Sequence, residues 1–128
     1  MSDSPLQATP RPEDVAGIAT RAVIRAAHNL GVTARVLAAI LGVSEATVSR
    51  MKRGDYSLSQ GTKEFELAVL FIRLFRSLDA IVGGDERVAS AWLANPNTAL
   101  DGRPIELIQK ISGLLDVIAY LDARRAPI

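Results

Sequence analysis

A chain of 128 residues, 48% hydrophobic and 23% charged, is the length of one folded domain or two very small ones, and too apolar to remain disordered. Only 5% of it is aromatic and it has no cysteine, so the core must be aliphatic and neither a disulfide framework nor a thiolate metal site can form. The net charge of +1 divides into seven Lys and Arg against five acids over residues 1–60, and eight against nine over 61–128, a mild cationic bias at the front that permits nucleic-acid contact.

Residues 1–11 are rich in Ser, Pro, Asp and Thr and read as a tail, without the basic and apolar regions of a signal peptide. Pro12, Glu13 and Asp14 open a first helix, with Pro in the first turn and acids at the positive end of the dipole. Val15, Ile18, Ala19, Ala22, Val23 and Ala26 follow at helical spacing, and Gly31 closes it. Thr33 caps a second helix carrying Val36, Leu37, Ile40 and Leu41, which Gly42 stops. Ser44 caps a third, "EATVSRMKR", ending at Gly54. After the connector "GDYSLSQGT" a long helix runs from Thr62 to Val82. Asp85 opens a fifth, through Leu93. Pro104 starts a sixth, "PIELIQKI"; Ser112-Gly113 marks a break; "LLDVIAYLDARR" is the last. No strand alternation and no solenoid repeat is present, so the fold class is all-α. The most apolar run, "LAVLFIRLFRSLDAIVG", is interrupted by Arg73, Arg76 and Asp79, which argues against a membrane span. The lack of cysteine suits a reducing cytoplasm, the expected location.

The segment from Leu37 to Gly54, "LAAILGVSEATVSRMKRG", reads as a helix-turn-helix. Leu37, Leu41, Val43, Val48 and Met51 can converge on one small core, Ala38 allows two helices to cross closely, and Gly42 takes the turn. On the third helix Val48 and Met51 point one way; Ala46, Ser49, Arg50 and Arg53 point the other, with Glu45 at the first turn. A recognition helix entering the major groove by its N-terminal end needs such a face. Arg50 suits guanine, Glu45 cytosine N4, and Ala46 a thymine methyl; Arg35, Lys52 and Arg53 suit phosphates. The candidate DNA contacts are therefore Arg35, Ser44, Glu45, Ala46, Thr47, Ser49, Arg50, Lys52 and Arg53. In Leu37-Ala38, Gly42-Val43, Val48-Ser49 and Gly54 the segment resembles the helix-turn-helix of the Xre (Cro/C1-type) family, although Ala34 stands where that family often has Gln. The resemblance implies a Cro/C1-like helical bundle over residues 12–58 that binds operator DNA.

"AWLANPNTALDGRPIELI", Ala91 to Ile108, is a second specified element. Asn95-Pro96-Asn97 and Asp101-Gly102 are turn signatures, and Pro104 sits where a helix needs no N–H. The residues alone describe a rigid corner that folds the last helices back on the fourth and fifth; a binding site is the second reading. Trp92-Leu93, Pro96-Asn97, Leu100, Gly102, Pro104 and Leu107, with Gly113 and Leu121 beyond, resemble the C-terminal toxin-binding domain of the MbcA/ParS/Xre antitoxins. The resemblance implies that residues 62–128 form a helical toxin-binding and dimerisation domain. Its partner would be a RES-domain toxin that degrades NAD or transfers from it, and the chain would also repress its own promoter. Candidate toxin contacts are Trp92, Asn97, Lys110, Tyr120, Asp122, Arg124 and Arg125. On this reading Lys110, Tyr120, Arg124 and Arg125 share one exposed end. The C-terminal carboxylate or Asp122 mimics an anion, and the end contributes little core.

The helix over 62–82 is apolar nearly all round, so it is either buried or shared between chains. A short chain has little core to surround it, which predicts a homodimer through Phe65, Phe71 and Phe75, as palindromic operator binding also requires. Other chemistry is set aside. His28 is the one histidine, at a helix end, and no nucleophile–base–orienter set can be assembled around it. Glu13-Asp14 and Asp85-Glu86 are explained by helix dipoles. The chain is expected to be no enzyme and to hold neither metal nor cofactor. The rival functions are a stand-alone repressor whose C-terminal domain binds an effector or only dimerises, and an interaction adaptor with a decayed DNA face.

Overall fold

Side-chain oxygens start four of the helices. Thr33 accepts from the Val36 amide, Ser44 from Thr47, Thr62 from Phe65, and Asp85 from both Arg87 and Val88, each satisfying donors that the first turn leaves free. The computed structural model describes residues 11–125. It contains α1 (Pro12–Leu30), α2 (Ala34–Leu41), α3 (Glu45–Arg53), α4 (Lys63–Ile81), α5 (Glu86–Ala94), α6 (Pro104–Leu107) and α7 (Ile111–Arg125). Among the described residues there is no strand, only one isolated bridge between Asn97 and Gly102. The protein is all-α, a helix-turn-helix bundle followed by a second helical portion.

The expected helix-turn-helix core forms: Leu37, Leu41, Val48 and Met51 are buried, and Val43 packs against them. Gly42 ends α2 at φ 73°, a left-handed conformation that costs other residues strain. The connector after α3 is pinned from below. The buried amide of Leu58 donates to Thr20 Oγ1 at 2.9 Å, and that hydroxyl donates to the Ala16 carbonyl at 2.6 Å.

α4 is the central helix. It buries Leu67, Ala68, Phe71, Leu74, Ser77 and Leu78 and packs against α1, α2, α5 and α7. The cluster around it is continuous, from Val23 in α1 to Leu121 in α7. This corrects the expectation for Phe71. Four helices of the same chain cover α4, so Phe71 is 0% exposed and has no surface left for a second copy. Phe65 and Phe75 are half-buried, while Val69, on the outer side, is 47% exposed.

The region before α7 also differs from the sequence expectation. α6 is a single turn, Pro104–Leu107, and the break comes at 108–110, where Ile108 turns into the core. Ser112 and Gly113 lie inside the first turn of α7 rather than at a bend. Gly113 is needed there for proximity: a Cβ built on it would stand 2.0 Å from the Leu107 carbonyl oxygen. The start of α7 thus rests directly on the backbone of α6, which no side chain permits. Because the obstructing atom is backbone, relaxation is hard, and Gly113→Ala is expected to cost about 3 kcal/mol, the upper part of the overpacking range. Urea denaturation of the two forms measures it; an unchanged midpoint would show that α6 moves aside freely.

Candidate functional site

Two surfaces carry the sequence-derived residues. The first is the outer side of α3. Glu45, Ala46, Ser49, Lys52 and Arg53 are exposed there, and Arg35 is exposed in the first turn of α2. Thr47 is not among them. It is buried, and its hydroxyl lies between Ser44 Oγ and Arg50, each at 3.0 Å. Ser44 remains exposed, but its oxygen is occupied as the cap of α3, accepting from the Thr47 amide at 3.0 Å. These two residues brace the start of α3 and the Arg50 side chain. Arg50 Nη2 donates to Thr47 Oγ1, and its guanidinium lies 5.9 Å from the centre of the Tyr56 ring, within cation–π range. A long side chain fixed at two points loses less entropy on meeting a base. Tyr56 lies in the connector after α3, where no periodicity singles it out. Arg53 pairs with Asp55 at 3.3 Å in the open.

The second surface joins α5 and α7. Trp92 stacks on Tyr120 with ring centres 6.1 Å apart at 22°, and the Arg124 guanidinium lies 4.5 Å over the Tyr120 ring. Both rings are half-buried and Arg124 is exposed. The corner between α5 and α6 is built as the turn residues require. Asn97 Oδ1 accepts from the Leu100 amide at 3.1 Å, Asp101 takes φ 58°, and Arg103 Nε donates to the Ala94 carbonyl at the end of α5, at 2.7 Å. Asn97 therefore spends its side chain inside the loop.

Lys110 does not join this group. It precedes α7, fourteen residues from Arg124, so the helix rise of 1.5 Å per residue separates them by roughly 20 Å. Asp122 and Arg125 face α4 instead. Asp122 accepts from Ser77 Oγ at 2.7 Å and pairs with Arg73, while Arg125 Nη1 donates to the same Ser77 hydroxyl at 3.0 Å. The end of α7 adds little apolar core, as expected, but it is tied down by polar bonds. With these partners Asp122 is already compensated and is poorly placed to mimic an anion. The C-terminal carboxylate lies outside the described residues. Sequence reasoning missed Ser77 because a serine within an apolar helix gives no periodic signal. It also missed the apolar pair Ile111 and Leu115, 54% and 48% exposed on α7. Among the described residues no acidic or histidine cluster could hold a metal ion, and no helix is long and apolar enough to cross a membrane.

A helix-turn-helix that holds an arginine on the outer side of α3, and an aromatic–arginine stack formed by α5 and α7, share one continuous core. Family comparison agrees. Residues 10–73 match the antitoxin Xre-like helix-turn-helix domain, and residues 77–126 match the antitoxin Xre/MbcA/ParS C-terminal toxin-binding domain. The chain belongs to the Xre/MbcA/ParS antitoxins of type II toxin–antitoxin systems. No individual curated protein matches it.

The Ser77 hydroxyl foremost, and Arg73 and Arg125 with it, hold the Asp122 carboxyl below the usual aspartate range, against partial burial. A lowered native pKa gives stability that is complete above the unfolded value, ~3.9, and is lost as pH falls through the native one. Asp122→Asn is thus expected to cost about 1 kcal/mol near neutral pH, a figure discounted for solvent screening. The difference from wild type should narrow as pH falls below about 3.9 and close once pH is below the lowered native value. Thermal unfolding at both pH values measures this; a difference independent of pH would remove the charge from the explanation.

Proposed function

We propose that this antitoxin represses its own operon by binding operator DNA as a homodimer, and neutralises a RES-domain toxin that consumes NAD by covering it with the C-terminal module. Residues 12–58 serve the DNA and residues 62–128 serve dimerisation and the toxin, all in the cytoplasm. The observation that carries the reading is that each half presents a prepared arginine: Arg50, held by Thr47 and Tyr56, and Arg124, held on the Trp92–Tyr120 stack. Trp, Tyr and Arg are the residue types that dominate protein-interface energetics. Of the sequence-derived toxin contacts, Trp92, Tyr120 and Arg124 form the contact surface, and Asn97, Asp122 and Arg125 support it. Lys110 contacts the toxin only if the interface extends along α7. The dimer uses the outer stripe of α4, where Phe65, Val69 and Ile72 recur at helical spacing.

The operator arm is tested by anisotropy titration across salt. Arg50→Ala should lose about 1–3 kcal/mol on the cognate site and relax one base position, whereas Lys52→Ala should weaken all sequences alike and reduce the salt slope by about one. Operator binding by Arg50→Ala as tight as wild type would move the reading face elsewhere. Val69→Glu places a charge at the proposed dimer contact, which costs several kcal/mol in the dimer when unpaired and little in the monomer, where Val69 is exposed. Light scattering should then show a monomer; a wild-type monomer at about the same micromolar concentration that saturates operator would end the dimer proposal.

The toxin arm is tested by co-expression with a RES-domain toxin. Arg124→Glu, on an exposed side chain, should leave operator binding intact and abolish both co-purification and protection of growth, since interface anchors cost about 2 kcal/mol or more. Full protection by Arg124→Glu and by Tyr120→Ala would place neutralisation away from the stack.

A further inference from the structure

Between α1 and the C-terminal end of α3 lies a half-open cavity of about 720 Å3, within the roughly 300–1,000 Å3 of small-molecule sites. Its floor is apolar, with Ile24, Val32 and Met51; Met51 is a side chain that adapts its shape to what it touches. Its rim is cationic, with Arg21, Arg25, Lys52 and Arg53, and no carboxylate lines it. Among the described residues Arg21, Arg25 and Lys52 form no ion pair, and only Arg53 has one, with Asp55. Three unpaired like charges, with the Asp55-paired Arg53 beside them, gather around an apolar hollow and repel one another.

We propose that this cavity is a binding site for an organic anion with an apolar body, an aromatic or short acyl carboxylate, sulfonate or phosphate ester. The apolar body covers Ile24, Val32 and Met51, and the anionic group sits between the guanidinium groups of Arg21 and Arg25 with Lys52 beside it. Arginine forks are suited to pairing with two oxygens of such a group. Inorganic phosphate or a DNA phosphate satisfies the rim alone and leaves the floor wet. A second copy packed here about a two-fold axis sets the cationic rim against its own image. Charge and apolarity together therefore select the amphipathic anion. The site stands apart from the Trp92–Tyr120 surface, and the inference does not rest on the operator or toxin reading.

The probe is anilinonaphthalene sulfonate, a fused aromatic body with one anionic group, titrated into the full chain and followed by fluorescence and by proton–nitrogen correlation spectra. Saturable binding at one site is expected, with amide shifts concentrated at Ala27, Gly31, Val32, Met51 and Gly54, which surround the cavity. Replacing both exposed arginines, Arg21→Gln with Arg25→Gln, should weaken binding about tenfold or more, the loss expected from removing one strong charge-assisted pairing. The uncharged N-phenylnaphthylamine should bind wild type about tenfold more weakly than the sulfonate; this comparison needs no variant to fold. Shifts confined to the exposed Ile111 and Leu115 face, equal affinity for the neutral dye, or unchanged affinity in the double variant would each overturn the proposal.

Discussion

The burial of α4 is the constraint on which the rest depends. Phe71 and Leu74 are fully enclosed, and side chains of that size contribute about 1.5–3 kcal/mol each when removed from water. The helices that enclose them come from both ends of the chain: α1 and α2 from the helix-turn-helix portion, α5 and α7 from the other. Neither portion completes its core alone. The two family matches meet on this helix, one ending at Arg73 and the other beginning at Ser77.

The polar bonds follow the same economy of few, well-placed contacts. Thr20 fixes the connector to α1, Thr47 fixes Arg50 to its own helix, and Ser77 fixes the end of α7 to α4. Each is a small hydroxyl residue enclosed in the fold. A buried hydroxyl must be bonded, and a donor left without it costs about 1–3 kcal/mol. These three residues therefore determine where surface side chains stand, although none of them is on the surface.

Much of the architecture was legible from local chemistry. Thr33, Ser44, Thr62 and Asp85 announce helix starts because only short polar side chains reach the free amides, and the Leu37–Met51 pattern describes its own small core. What was not legible depends on what lies across the fold. Thr47 sits on the α3 wheel next to exposed positions, and only the packing against α3 turns it inward. Gly113 reads as a break in sequence, since a glycine needed for backbone proximity looks the same as one needed for a bend. The girth of α4 is visible in the sequence but its cover is not, which is why the pattern alone points Phe71 at a partner chain. Arg21, Arg25, Lys52 and Arg53 lie apart in the chain, between positions 21 and 53, and nothing but the α1–α3 crossing gathers them. Of the expected toxin contacts, the Trp92–Tyr120–Arg124 stack is assembled from two helices, and Lys110 is left ahead of the opposite end of α7.

A continuous core also has a consequence for persistence in the cell. A small protein with one core opens as a single cooperative unit, so no half survives the unfolding of the other. A ligand that favours the folded form adds stability that grows with the logarithm of its concentration over its dissociation constant. Occupancy of either end then protects the whole chain, including the end that the ligand never touches. Where proteolysis tracks the open population, the unliganded chains are removed first and the engaged ones last. The lifetime of α3 thereby depends on whatever occupies α7, without any change of shape passing between them.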